Sequence, residues 1–385
     1  MLRVAIAGCG KIADSHASVI QRIKQCEIVG VCDSEPLMAR QIYERFPIER
    51  CFCDLTALLT EARPDVVHIT TPPESHFEMA KICLKSGCHV YVEKPFTLCE
   101  CDAQELIALA SERRLKITVG HDDQFSPVAR RMRTLVQSGF LGGEPVHMDS
   151  YYCYPLERSA YTGALLGDKK HWVRKLPGKL LQNIISHGIA RIAEFVTSNS
   201  LRIVAHGFTS PLLKSMGENE IIDELRVIIS DEGRSTAYFT FSSQMRPAIH
   251  QFRLYGRENG LVLDQDNETL IRLRGTRFKS YLEMFIPPLA FAEQYLGNLG
   301  INGRMFLARD LNMKSGMEYL IGSFYRSILE DAPVPIPYQE IIRTVKIMDS
   351  IFSQLNLSES APQMHDESFR MPFETDAACR EVAVG

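Results

Sequence analysis

The chain has no run of the roughly 20 apolar residues that cross a bilayer, and it has no basic excess. Its 43 Lys and Arg stand against 47 Asp and Glu, a net charge of −4. The first absence argues against a membrane span. The second removes the positive field that holds nucleic acid or an anionic membrane surface, so neither partner is expected. No internal repeat and no low-complexity tract interrupts the sequence. The start, Met1-Leu2-Arg3, runs straight into an apolar strand without a secretory signal pattern. The 11 cysteines, an odd number scattered along the chain, read as reduced thiols of a cytoplasmic protein rather than a disulfide framework. Cys51/Cys53 and Cys99/Cys101 have one-residue gaps and no neighbouring His cluster, so no metal site is expected.

What is present is a globular composition, 45% apolar and 23% charged over 385 residues, long enough for two domains. Residues 1–121 alternate short β-rich runs (2–8, 27–33, 65–71, 89–94, 116–121) with helical patterns. Several of the runs are continuously apolar, as in a parallel sheet covered on both faces. A doubly wound α/β Rossmann domain is expected there. Over 122–356 the rhythm changes. A helix (126–138), a strand (146–154), an irregular charged stretch (155–179) and a helix (180–197) precede six closely spaced strands between 201 and 275. Successive strands without crossover helices predict an α+β domain with a large, mostly antiparallel sheet and helices on one face. Two late helices (314–330, 338–356) lead to a polar tail, 357–385. The apolar segment 277–299 reads as core, interface or lid, with core or interface favoured.

Gly8-Cys9-Gly10-Lys11-Ile12-Ala13 follows the first strand and opens the first helix, a G-x-G-x-x-A form. Gly8 allows the tight turn, Gly10 lets backbone approach a pyrophosphate, and Ala13 keeps the helix near the sheet. The helix N-terminus favours the phosphates. Asp33 ends the second strand, where a carboxylate binds the adenosine ribose hydroxyls and repels a 2′-phosphate, so NAD is expected over NADP. Lys94, in "VEKP", sits at the carboxyl end of the fourth strand, where ligands bind such sheets. "TTPPESH" (70–76), with Pro72 and Pro73, ends the preceding strand along the same edge. The expected cofactor-binding residues are Gly8, Gly10, Lys11, Ile12, Asp33, Thr71, Pro72, His76, Glu93, Lys94 and His121. In "LPGKLLQNIISHGIARIAEF", Asn183 and His187 lie four apart and share one helix face. Trp172 and Gly178 precede them as a site wall. Lys94, His121, Trp172, Asn183 and His187 are the expected substrate contacts, with Lys94 and His187 catalytic.

These residues resemble the Gfo/Idh/MocA family (glucose–fructose oxidoreductase, inositol dehydrogenase and MocA-like proteins). The resemblance rests on the glycine motif with His16, "TTPPESH", "VEKP" and the later Asn/Asp-x-x-x-His helix, and covers about residues 2–356. It implies NAD-dependent oxidation or reduction of a sugar, cyclitol or nucleotide-sugar hydroxyl, and a homo-oligomer, dimer or tetramer, built through the open C-terminal sheet. Carried over, Lys94 contacts substrate and nicotinamide ribose, and His187 is the acid/base. Two departures matter: Asn183 stands where the family commonly has Asp, and Gln124-Phe125 stands for Arg-Phe, leaving polar roles to His121 and Asp122. The expected activity is hydride transfer between a secondary alcohol and nicotinamide, with either His187 or Lys94 taking the proton. The alternatives are a redox-neutral enzyme that oxidises transiently and eliminates with tightly bound NAD, and a non-catalytic NAD-binding sensor or scaffold.

Overall fold

A computed structural model describes residues 1–156, 160–198, 200–275, 277–279, 281–312 and 314–355. The expected tail 357–385 lies outside the described residues. The chain forms two compact units, one of residues 1–120 with 317–345, the other of residues 121–316 with the stretch from 346.

The first unit is built on six strands: β1 (Leu2–Ala7), β2 (Cys26–Cys32), β3 (Cys51–Phe52), β4 (Val66–Ile69), β5 (His89–Val92) and β6 (Ile117–Val119). All pair in parallel, in the order β3-β2-β1-β4-β5-β6. The order reverses between β1 and β4, and such sheets bind ligands at that point, beyond the strands' carboxyl ends. Val4, Ile6, Val67, Ile69, Val90, Val92 and Val119 are fully buried, which accounts for the continuous apolar runs. Helices Lys11–Ile20, Pro36–Arg45, His76–Lys85 and Glu100–Glu112 make the crossovers. The two-residue β3 is too short to leave a pattern in sequence. The helical stretch 317–345, expected in the second domain, packs here instead. Lys116 Nζ donates to the Ala332 carbonyl at 2.6 Å, and the Ile117 N–H donates to Tyr338 Oη at 3.4 Å.

The second unit has seven strands: β7 (His147–Cys153), β8 (Leu201–Phe208), β9 (Glu224–Asp231), β10 (Ser235–Ser242), β11 (Ile249–Tyr255), β12 (Asn259–Asp264) and β13 (Thr269–Arg274). Their order is β13-β12-β11-β7-β10-β9-β8, antiparallel except for β7 beside β10. Alternation puts Phe239, Phe252, Leu254 and Leu263 into one core with Ile189, Ile192, Ile351 and Phe352 of the covering helices. On the opposite face Val204, Ile228 and Tyr238 remain about half exposed. Three expectations are corrected. The stretch 155–179 holds a helix, Ala160–Gly167, and a short turn of helix, Trp172–Lys175. The single helix expected over 180–197 is two, Lys179–Ile184 and Ser186–Phe195, parted at Ile185. From Leu282 on, the apolar segment 277–299 lies in a 26-residue helix, Leu282–Leu307, and is not core: Phe285, Leu289 and Leu296 are 68%, 72% and 69% exposed.

Candidate active site

In the first unit the glycine loop is held from below. Gly8 has φ +95°, and a Cβ there would lie 2.7 Å from the Thr71 backbone nitrogen and 2.8 Å from the Thr70 carbonyl carbon. A side chain has room neither sterically nor in φ. Gly8→Ala is therefore expected to weaken NADH binding by about tenfold or more, as read by fluorescence titration, through strain of roughly 1–3 kcal/mol in the loop. Gly10 is different. Its Cβ would meet nothing within 4 Å, and it begins helix Lys11–Ile20 without a side-chain cap. Open space over an uncapped helix N-terminus suits a pyrophosphate. Lys11 and Ile12 are exposed beside it, and Ala13 is fully buried against the sheet.

Asp33 has a task that the sequence did not disclose. Its Oδ2 accepts from the Cys9 N–H at 2.6 Å and its Oδ1 from the Glu35 N–H at 2.9 Å. The carboxylate that would meet the ribose also fixes the glycine loop, and its two oxygens retain lone pairs for hydroxyl donors.

Glu93 and Lys94 follow the end of β5, where the chain bends; the strand stops at Val92, so strand alternation is not what aims Lys94. Glu93 turns inward and is 7% exposed, while Lys94 is half-buried. The Lys94–Pro95 peptide bond is cis. Glu93 Oε2 accepts from the Lys94 N–H at 3.1 Å, and Glu93 Oε1 lies 2.8 Å from His16 Nε2. The chain continues inward. His16 Nδ1 meets His68 Nδ1 at 2.8 Å, and His68 Nε2 meets Tyr325 Oη at 2.8 Å. Burial, then the neighbouring His16, hold His68 well below the usual imidazole range, so it is neutral. Burial would raise the Glu93 carboxyl, but the hydrogen bond and charge of His16 and the charge of Lys94 bring it below its ordinary value. A carboxylate therefore anchors a file of buried rings. With His16 neutral, Tyr325 donates to His68, His68 to His16, and His16 to Glu93. With His16 charged, it donates at both nitrogens and the His68–Tyr325 bond reverses. Both arrangements satisfy every ring nitrogen.

His76 is wholly buried, with Nδ1 2.9 Å from the Pro95 carbonyl and Nε2 3.0 Å from the Thr71 carbonyl. Burial lowers its pKa, and a neutral ring donates to only one of the two. It ties the loop after β4 to the backbone next to Lys94, and any influence on a cofactor passes through that loop. Thr71 Oγ1 accepts from Ser75 Oγ at 2.6 Å, and Pro72 is exposed.

In the second unit Gly188 sets the position of His187. A Cβ at Gly188 would fall 2.5 Å from the Phe239 ring, so the absence of a side chain lets this helix lie close on the sheet. His187, 9% exposed, stacks beside Tyr152 with centroids 6.0 Å apart, and His121 meets it edge-on at 6.0 Å. Two carboxylates come to it from the turn Asp122–Phe125: Asp122 Oδ1 and Asp123 Oδ2 each lie 3.9 Å from His187 Nδ1. The charge missing at Asn183 is thus supplied from elsewhere in the chain. Asn183 itself is half-buried on the preceding short helix, which is parted from the helix of His187 by Ile185 alone. Trp172 packs partly against the apolar core, stacked on His171 at 5.7 Å.

Arg191, one turn after His187, was not anticipated. It is 2% exposed, and a guanidinium nitrogen lies 3.7 Å from Asp123 Oδ2. Among the described residues none of its side-chain nitrogens has a hydrogen-bond partner. The four-residue spacing from His187 was its only sequence signal. Burial would raise the Asp123 carboxyl, but the charges of His187 and Arg191 and a 2.9 Å hydrogen bond from Gln265 bring it down to about 2. The donors of Asp122, Asp123 and His187 gather within 4.8 Å, and Arg191 supplies the countercharge a cation would otherwise bring. Gln124 Nε2 donates to the Ala190 carbonyl at 3.2 Å, and Arg133 lies 5.0 Å over the Phe125 ring. Gln124 therefore fastens the acidic turn to the helix that carries His187, while Phe125 packs under Arg133 of helix Pro127–Gln137.

Residues 2–121 match the model of an oxidoreductase family with an NAD-binding Rossmann fold, Gfo/Idh/MocA. The chain is 33% identical over 142 residues to D-glucoside 3-dehydrogenase of Escherichia coli, 37% of this chain and 40% of that protein. It is 32% identical over 156 residues to UDP-N-acetylglucosamine 3-dehydrogenase of Acidithiobacillus ferrooxidans, 40% of this chain and 47% of that protein. The match thus spans less than half of either relative. In fold the likeness is longer: a solved structure of the Acidithiobacillus enzyme superposes with TM-score 0.70 at 20% identity, covering 94% of this chain and 99% of the other. An NAD-binding oxidoreductase of Klebsiella pneumoniae gives TM-score 0.73 at 19% identity, covering 92% and 96%. Residues 2–121 are thus similar to the NAD-binding Rossmann domain of the Gfo/Idh/MocA oxidoreductase family.

Proposed function

We propose that the protein is an NAD-dependent dehydrogenase acting on a secondary alcohol of a sugar, cyclitol or nucleotide sugar. The observation that carries this reading is His187 held beside two carboxylates in a chain whose first unit is an NAD-binding domain. An imidazole that takes a hydroxyl proton becomes cationic, and Asp122 and Asp123 stabilise that cation. Lys94 offers an ammonium to the alkoxide oxygen, and the proton-accepting role could pass between the two. Nicotinamide, when bound, accepts the hydride. Gly8, Gly10, the uncapped helix terminus and Asp33 are the groups that would hold the dinucleotide, with Thr71 and Pro72 on the adjoining loop. His121, Asn183 and Trp172 remain proposed substrate contacts. The names of the relatives support the sugar class. Of the ten described cysteines nine are free thiols and Cys53 is disulfide-bonded, a balance that favours a reducing compartment such as the cytoplasm. The half-exposed Val204, Ile228 and Tyr238 support association of copies through the second sheet.

The activity is tested by following NADH formation with a panel of sugars, cyclitols and nucleotide sugars. Cofactor choice is tested separately. NADH should bind at least about tenfold more tightly than NADPH, because Asp33 opposes a 2′-phosphate. Asp33→Asn, which removes the charge while keeping an amide oxygen for the Cys9 N–H, should narrow that ratio. A wild-type preference for NADPH would contradict the assignment.

A further inference from the structure

Helix Leu282–Leu307 is turned inside out. The side chains that attach it to the second unit are amides: Gln294 Oε1 accepts from the Arg272 N–H at 2.8 Å, while Asn298 accepts from the Leu270 N–H at 3.1 Å and donates to the Leu270 carbonyl at 3.0 Å. They satisfy the backbone of β13, the end strand of its sheet. The opposite side is apolar. Phe285, Leu289, Ala292, Leu296, Leu299, Gly303 and Phe306 recur at spacings of four and three, and the five large ones are 68–72% exposed. Beside the helix a groove of about 1120 Å³ leaves Ile286, Pro287 and Phe291 only partly covered.

We propose that this helix pairs antiparallel with the same helix of a second copy of the chain. A repeat of four and three is the seam that one helix presents to another. Antiparallel pairing about Gln294 sets Phe285 against Gly303, Leu289 against Leu299, and Ala292 against Leu296, large against small at both ends. Glu283 and Arg304 are 21 residues apart, three heptads, and so share a side; reversing the partner brings opposite charges together where parallel pairing would align like ones. With Tyr281, Met284, Tyr295 and Leu307 also 57–82% exposed, the apolar area is on the order of 1000 Å² per copy, above the ~800 Å² per partner of an ordinary stable interface. An anionic membrane is a poorer occupant. Over Leu282–Leu307 the helix has two acids, Glu283 and Glu293, and a single base, Arg304, whereas helices that lie on such membranes carry several Lys and Arg on the polar face.

The test uses the full chain. Light scattering after gel filtration should give an oligomer at micromolar concentration, and Leu289→Glu/Leu296→Glu should halve its mass, because carboxylates from both copies would be buried in the seam. NADH binding retained in that variant shows that it has folded. Phe285→Cys/Gly303→Cys should form a reducible intermolecular disulfide that the wild type does not; a Cβ at Gly303 meets nothing within 4 Å. A monomeric wild type, or an unchanged mass with no cross-link, overturns the proposal. So does a cross-link from Leu296→Cys alone, which reports parallel pairing. So does a monomer that floats with vesicles containing phosphatidylglycerol and loses this in the double Glu variant.

Discussion

His187→Asn should lower kcat by roughly 10²–10⁴-fold, the usual contribution of a positioned acid/base group, with the Kd for NADH unchanged. The two readouts separate because His187 belongs to the second unit and the glycine loop to the first. Asn is close in size to His and polar, so the packing on Tyr152 is disturbed little, yet it cannot take a proton. The deficit should fall on kcat and kcat/KM together, the pattern of an interaction made in the transition state. Asp123→Asn should have a smaller effect, since it removes a charge 3.9 Å from Nδ1 and leaves the imidazole in place. If His187→Asn keeps full activity on a substrate the wild type accepts, the proton is taken elsewhere and Lys94 becomes the acceptor to test.

The largest stability effect is expected at the buried file behind Lys94. His16→Leu leaves the Glu93 carboxylate, 7% exposed, without its imidazole partner. Leaving a buried carboxylate without its partner in this way costs about 3–5 kcal/mol, read as a fall in the urea unfolding free energy. Glu93→Gln keeps a hydrogen-bonding partner and should cost less, about 1–3 kcal/mol. The same residues set the acid limit. The folded pKa of His68 lies below its ordinary 6.5, so the unfolded chain binds the proton more readily, and stability falls as pH drops below that value. Glu93 also has a folded pKa below its ordinary 4.5. Its contribution is present above pH 4.5 and is lost as pH falls through the folded value. Acid unfolding should begin with the buried histidines His68 and His76 and steepen with the carboxylate, and His68→Gln should weaken the first phase.

The parts of the fold legible in sequence were those governed by local periodicity. Apolar runs such as Val4–Ala7 and Val66–Ile69 are buried on both faces of the parallel sheet, and the glycine motif stands at a turn that a side chain at Gly8 would block. Features that depend on distant contacts were not legible. Nothing in "GHDDQFSP" says that Asp122 and Asp123 will reach a His sixty-five residues on, and the missing Asp at position 183 looked like a loss because its replacement lies elsewhere. The break at Ile185 leaves no mark in an apolar helical pattern. The segment 277–299 was legible only in part. Its apolar content suggested core or interface, and core is excluded because amides make its contacts with β13 and the apolar side faces outward.

The most direct test of the account is a single-turnover experiment: excess protein and NAD rapidly mixed with each member of a sugar, cyclitol and nucleotide-sugar panel, with absorbance followed at 340 nm. For at least one compound class the account predicts NADH formation that His187→Asn abolishes, persistent for a net dehydrogenase and transient if the hydride is returned. Binding of NAD with no 340 nm signal from any member, in wild type and variant alike, would contradict it.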